Sequence, residues 1–343
     1  MHVRYLILFA FACGGEKVKL KEPPPGECPK GTCFEAQLAE YTIGPYEETD
    51  GLCLSVTLDN EEEMYVNSVT AYNDGAFHHS NWFWVPDDQW DLPDGSWDCS
   101  EHNFTELAAA LTGGVLFAQS TQVWEETQQF LPNVATKIGP HARIIAAAHL
   151  LNATGDTIDT SMNVRLGLLA EDDVETLLAP MRVSYLDLDI PAESETAHGG
   201  RCEMSELYKA MSLRDYEIKL HYVLPHFHGI GTGFELTVAG GDRDGEVLFE
   251  QRDAFGHELG QTFEEPIDLT GTEGMNFNCF HTNPTDKTVK WGIGDQEMCV
   301  MLGFIESSIM FDMWIEETLE TDTDGEVQTR TGECRILAVP FTD

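Results

Sequence analysis

Apolar and polar residues alternate with a period of two through much of this chain. The stretches "GLCLSVTL" (51–58), "VSYLDLDI" (183–190), "YEIKLHYVL" (216–224) and "FELTVAG" (234–240) are alternating or rich in β-branched and aromatic residues. Successive side chains of a strand point to opposite faces, so this pattern predicts strands with one face on a core. Turn signals punctuate them at Asn73-Asp74-Gly75, Pro93-Asp94-Gly95, Asp244-Gly245 and Asp324-Gly325. The acids of "DRDG" and "DTDG" belong to hairpin turns, because neither segment extends into a full calcium loop. "NFTELAAALTG" (103–113) predicts a short helix, whereas "ARIIAAAHLL" (142–151) is helix or buried strand by period alone. The texture is all-β.

A length of 343 residues suits two domains or one large β domain. Alternation gives way to Pro, Gly and charge at "DIPAESETAHGG" (189–200), which divides the chain into residues 45–190 and 191–343. The first thirteen residues, "MHVRYLILFAFAC", have a basic start and an apolar run too short to span a bilayer. Ala12-Cys13-Gly14 resembles the end of a bacterial lipoprotein signal, so residues 1–13 are expected to be a signal with lipidation at Cys13. The charged, proline-rich "EKVKLKEPPPGE" that follows makes residues 14–44 a tether in this reading.

Composition narrows the setting. Lys and Arg total 19 against 60 Asp and Glu, a formal net charge of −41. Such a surface repels phosphate backbones and anionic lipid, which argues against nucleic acid and limits membrane contact to a lipid anchor. Nine cysteines, less Cys13, leave eight: Cys28, Cys33, Cys53 and Cys99, then Cys202, Cys279, Cys299 and Cys334. An even number without any CxxC pair favours disulfides over zinc, hence an exported protein at the cell surface, outer membrane or periplasm, or secreted.

The histidines carry the chemistry. In "LPHFHGIGTG" (224–233), His226 and His228 share one strand face. His78 and His79 are adjacent, so joint ligation of one ion needs a bulge or a strand end. His149 lies further along the first half, and Met298 precedes Cys299 in "GDQEMCVMLGF". Thioether with imidazoles favours copper, since soft sulfur stabilises the reduced ion and imidazole tolerates both oxidation states. His102, His141, His198, His257 and His281 have no partner at ligand spacing, and His221 faces away from His226 on a continuous strand.

The order of these elements, a His-His pair, a distant His, an HxH and then Met-Cys, resembles the copper type II, ascorbate-dependent monooxygenases. Peptidylglycine α-hydroxylating monooxygenase and dopamine β-monooxygenase are its familiar members. The likeness covers roughly residues 45 to 340 and includes "FLPNVATKIGP" before His149. It implies two jelly-roll-like antiparallel β-sandwich domains with one copper in each, across a solvent-filled cleft. His78, His79 and His149 would hold an electron-transfer copper. His226, His228 and Met298 would hold the oxygen-binding, catalytic copper. The implied reaction inserts one oxygen atom of O2 into a substrate C–H bond, with ascorbate or another one-electron donor as reductant. The resemblance also pairs Cys53 with Cys99, Cys279 with Cys299 and Cys202 with Cys334, leaving Cys28 with Cys33.

Departures bear on the substrate. Ser80 stands where the family often has methionine. Leu224, Val300 and Leu302 occupy the positions where peptidylglycine enzymes carry polar groups for a carboxylate. An apolar wall cannot pair a buried charge. The expected substrate is therefore a small neutral molecule, apolar or aromatic. An exported copper-binding or copper-buffering protein without turnover is the rival reading.

Overall fold

Three of the alternating segments lie in strands, at Glu48–Thr57, Lys219–His226 and Gly231–Ala239, while "VSYLDLDI" is split between Ala179–Tyr185 and Asp189–Ile190, in a computed structural model that describes residues 28–341, apart from 39, 74–75, 91–92, 121–122, 253–258, 293–295 and 326. The signal, Cys13, the Asp74-Gly75 turn and His257 lie outside the described residues. Each half is a β-sandwich of mostly antiparallel strands.

In the first sandwich one sheet runs Cys33–Gln37, Met162–Leu169, Met64–Asn73, Val134–Ile138, Thr176–Leu177, with Glu125–Gln129 also on Met64–Asn73. The facing sheet runs Gly95–Asp98, Glu48–Thr57, Ala142–Leu151, Phe77–Pro86, Gly114–Gln119. "ARIIAAAHLL" is the central strand of that sheet. Its residues are buried on both faces, which is why helical and strand periods could not be told apart. The helix falls where expected, at Glu106–Thr112, capped by the Thr105 side chain accepting from Ala108 N at 3.2 Å.

The second sandwich pairs two six-stranded sheets. One runs Gln261–Asp268, Lys219–His226, Val300–Glu306, Ala179–Tyr185, Ile309–Ile315, Arg335–Pro340. The other runs Val247–Arg252, Gly231–Ala239, Gly274–Asn283, Ser194–Glu203, Val327–Thr331, Glu320–Asp324. Both acidic turns, at Gly245 and Gly325, connect strands, and each glycine adopts positive φ, 81° and 65°.

Two expected boundaries move. Residues 14–44 are not wholly a tether, because Cys33–Gln37 pairs with Met162–Leu169 and Tyr41–Ile43 with Ile158–Thr160. The division at 190 is also too late. Ala179–Tyr185 hydrogen-bonds to Val300–Glu306 and Ile309–Ile315, so the crossover between sandwiches lies at Leu178. Pro191 marks a turn inside the second sandwich instead.

Four disulfides join Cys28–Cys33, Cys53–Cys99, Cys202–Cys334 and Cys279–Cys299, and none crosses between the halves. Apolar packing joins the halves instead. Phe130 of the first half lies edge-on to Phe304 and Tyr222 of the second, with ring centroids 5.1 and 6.1 Å apart. Among the described residues no helix is long and apolar enough to cross a membrane.

Candidate metal centre

Strand register delivers the first-half histidines. His149 sits directly across from His79, while the next pair is Leu150 with Phe77. His78 is thus the extra residue of a β-bulge, the device that two adjacent ligands require. The His78 ring lies 5.2 Å from that of His149 and 5.5 Å from that of His79.

His226 ends its strand, and the chain turns at once, with Gly231 N donating to His228 O at 3.1 Å. Phe227 folds over Gly231, where a Cβ would come within 2.4 Å of its ring, so a side chain at that position would disturb the turn. The two imidazoles lie 5.1 Å apart.

The two groups meet. His79 is 4.7 Å from His226 and 5.9 Å from His228 between ring centroids, and His78 is 5.5 Å from His228. The solvent-filled cleft expected between two separate sites is closed here. The physical reason is apolar: the Phe130 contact and the shared core draw the halves together around the histidines. Donor atoms of His79, His226 and His228 all lie within 4.8 Å of one another, a spacing that one ion can span.

Hydrogen bonds fix which nitrogen each ring presents. His226 Nδ1 is 2.6 Å from Ser120 O, and His228 Nδ1 is 3.0 Å from Gln296 O. A carbonyl can only accept, so Nδ1 carries the proton and Nε2 keeps its lone pair. Both Nε2 atoms are buried with no hydrogen-bond partner among the described residues. Buried polar atoms are normally satisfied, so a pair of orphaned lone pairs fits a metal. Ser120 belongs to the first half and is itself held by the buried Glu126 carboxylate, through its N at 3.1 Å and Oγ at 3.0 Å. One half therefore aims an imidazole of the other.

His149 is placed differently. Its Nδ1 lies 2.9 Å from His79 Nε2, and its Nε2 lies 2.7 Å from a Glu48 carboxylate oxygen. His226 and His79 are kept uncharged by burial first and by neighbouring imidazoles second. Burial, then His228, pushes His226 down to about 3. Burial, then His226 and His149, holds His79 well below the usual histidine range. Neutral imidazole is the ligating form.

Met298 lines the same cavity as His79 and His226. The residue before it, Glu297, is fully buried and accepts backbone N–H groups from His228, Ile230 and Met298. Burial raises its carboxyl to about 7 against the pull of those donors. The sequence reading missed it, and its place next to Met298 was the one local signal.

The cavity measures about 610 Å³ and lies between the two sandwiches. Leu224 faces Leu302 and His226 faces Val300 across paired strands, and all four line it. Its wall is not hydrocarbon alone, contrary to expectation. In the same row, Arg182 sits opposite Leu302 and makes a two-pronged bond to Asp312, Nε to Oδ1 at 2.8 Å and Nη2 to Oδ2 at 2.9 Å. Glu106 Oε2 lies 3.9 Å from Arg182 Nη1, and Asn81 donates to Glu106 Oε1 at 2.9 Å. A charge inside each of the apolar strands "APMRVSY" and "IMFDMWI" was the sequence signal for this pair. His198 and His281, given no role from sequence, lie buried with rings 5.3 Å apart, and His198 is the strand partner of Cys279.

No protein-family model matches the chain. No curated protein matches it either. Among solved structures it is similar to VP54 of PBCV-1 fitted into a cryo-EM reconstruction of the virophage Sputnik, at 6% identity, covering 83% of this chain and 97% of that one, with a TM-score of 0.25. It is also similar to VP2 of the infectious bursal disease virus subviral particle, at 9% identity, covering 83% and 74%, with a TM-score of 0.18. Likeness at that level carries no functional argument, and the β-sandwich architecture stands on the chain's own strand pairing.

Proposed function

We propose that this chain is a copper-dependent monooxygenase that hydroxylates a substrate C–H bond with O2 and a one-electron donor such as ascorbate. The observation that carries the reading is the meeting of five histidines from two sandwiches, two of which, His79 and His226, line a largely apolar cavity, with the buried Nε2 lone pairs of His226 and His228 left unsatisfied. Neutral imidazoles with a thioether nearby are a donor set suited to copper rather than to calcium or magnesium. His226, His228 and Met298 would hold one ion and His78, His79 and His149 a second, for which His149 must exchange its contact with His79 or Glu48 for the metal. Bound copper supplies one-electron redox chemistry and oxygen activation.

The chain's own part is orientation and exclusion. Ser120 O and Gln296 O fix the ring tautomers. Leu224, Val300 and Leu302 exclude water beside the histidines and orient an apolar body by shape. The substrate is a neutral, largely apolar or aromatic small molecule. Four disulfides fit an oxidising, exported setting, with Cys13 as a proposed lipid anchor.

The test is ascorbate-dependent oxygen uptake by copper-loaded protein with three compounds: an uncharged alkylbenzene, a phenethylamine and a C-terminal glycine peptide. Uptake is expected with the alkylbenzene. Turnover of either charged compound with the neutral one inert would overturn the substrate assignment. Copper uptake without oxygen consumption on a broad panel would support the copper-buffering rival.

A further inference from the structure

We propose that Glu297 is a positioning residue that holds the His228 turn and Met298 in one frame. This rests on the copper reading of the site but concerns groups within the chain. One carboxylate oxygen, Oε1, accepts from the backbone N–H of both His228 and Met298, the latter at 2.8 Å. The other, Oε2, accepts from Ile230 N at 3.2 Å. Residues 228 and 298 come from segments 70 positions apart that share no strand pairing at these residues. The shared oxygen is a direct polar link between them. Ring orientation follows on the same side, because Gln296 O, one residue further back, receives His228 Nδ1–H at 3.0 Å. The segment 296–298 thus fixes the backbone of one ligand, the tautomer of a second and the turn between.

The arrangement is specific to an acceptor-only group. Every atom aimed at the carboxylate is a backbone donor, and Glu297 is buried beyond the reach of replacement by water. A ligand frame held by its supporting bonds rather than by loop stiffness is what a precise metal site needs. Cys299, bonded to Cys279, anchors the far side of Met298. Glu297 supplies the near side.

Two substitutions separate this role from simple packing. In Glu297→Gln the amide oxygen can occupy the Oε1 position, keeping the link between residues 228 and 298, while the NH2 faces Ile230 N–H. In Glu297→Leu both acceptors are gone. Amide hydrogen exchange of the metal-free protein and X-ray absorption of the Cu(I) form are measured for both variants and the wild type. Glu297→Gln should speed exchange at Ile230 by about tenfold, leave His228 and Met298 near wild-type rates, and keep a sulfur scatterer on copper. Glu297→Leu should speed exchange at all three amides and lose the sulfur. A folded Glu297→Leu that keeps the sulfur overturns the proposal. So does Glu297→Gln with all three amides unchanged, or all three equally fast, and this second result decides the matter if Glu297→Leu does not fold. Wild-type protein without copper would remove the functional reading, and the amide pattern would then decide the clamp by itself.

Discussion

Met298 and the five histidines were legible one residue at a time, because imidazole and thioether have few reasons to recur in a fixed order. Their partners were not. Ser120 and Glu48 set a proton position or occupy a ring nitrogen from 106 and 101 residues away, which no local pattern reports. Arg182 and Asp312 show the same limit, since each is only a charge in an apolar strand until register sets them side by side. Replacing Met298 with Leu roughly conserves volume, so the cost in stability should stay below about 1.5 kcal/mol. The soft donor is lost. X-ray absorption of reduced, copper-loaded protein should show sulfur in the wild type and none in Met298→Leu. Identical spectra would mean that Met298 is packing alone.

Several strands followed from alternation, the helix at Glu106–Thr112 followed from "NFTELAAALTG", and the adjacency of His78 and His79 called for an irregularity. Strand membership did not follow. Ala179–Tyr185 precedes the break at "DIPAESETAHGG" yet belongs to the second sandwich, because its pairing partners lie over 110 residues downstream. The bulge gives a clean element-level prediction. Phe77 already faces Leu150, and His79 already faces His149, so deleting His78 should close the ladder without shifting either side. The protein should still fold, with its melting temperature within a few degrees. Copper content should fall relative to wild type. A deletion variant with unchanged copper content would take His78 out of the ligand set.

At the scale of the whole molecule, the even cysteine count pointed to disulfides and so to an oxidising setting, while the closing of one sandwich on the other could not be read from either half. Burial also makes the metal-free fold sensitive to acid. Burial, aided by the Arg330 charge and opposed by the backbone of Asp189, pushes His198 from 6.5 down to about 4. Tyr185 and His281 complete its surroundings, at ring distances of 5.2 and 5.3 Å. Between those two values the unfolded chain binds a proton that the folded one refuses. Stability is therefore full above 6.5 and falls as pH drops toward 4, by on the order of 3 kcal/mol for this group. Denaturant midpoints taken at pH 7 and 4.5 should show the loss, and His198→Asn should lessen it. Equal slopes in both proteins would put the acid sensitivity elsewhere.

The central claim is that the two sandwiches jointly build a copper centre that inserts oxygen. Its most direct measurement is turnover of an uncharged alkylbenzene by copper-loaded protein with ascorbate under oxygen-18 gas, followed by mass spectrometry of the product. The account predicts an alcohol carrying a single labelled oxygen, formed by the wild type and not by His226→Ala. A protein that holds copper through the same histidines yet yields no labelled alcohol, or yields it equally well without His226, would contradict it.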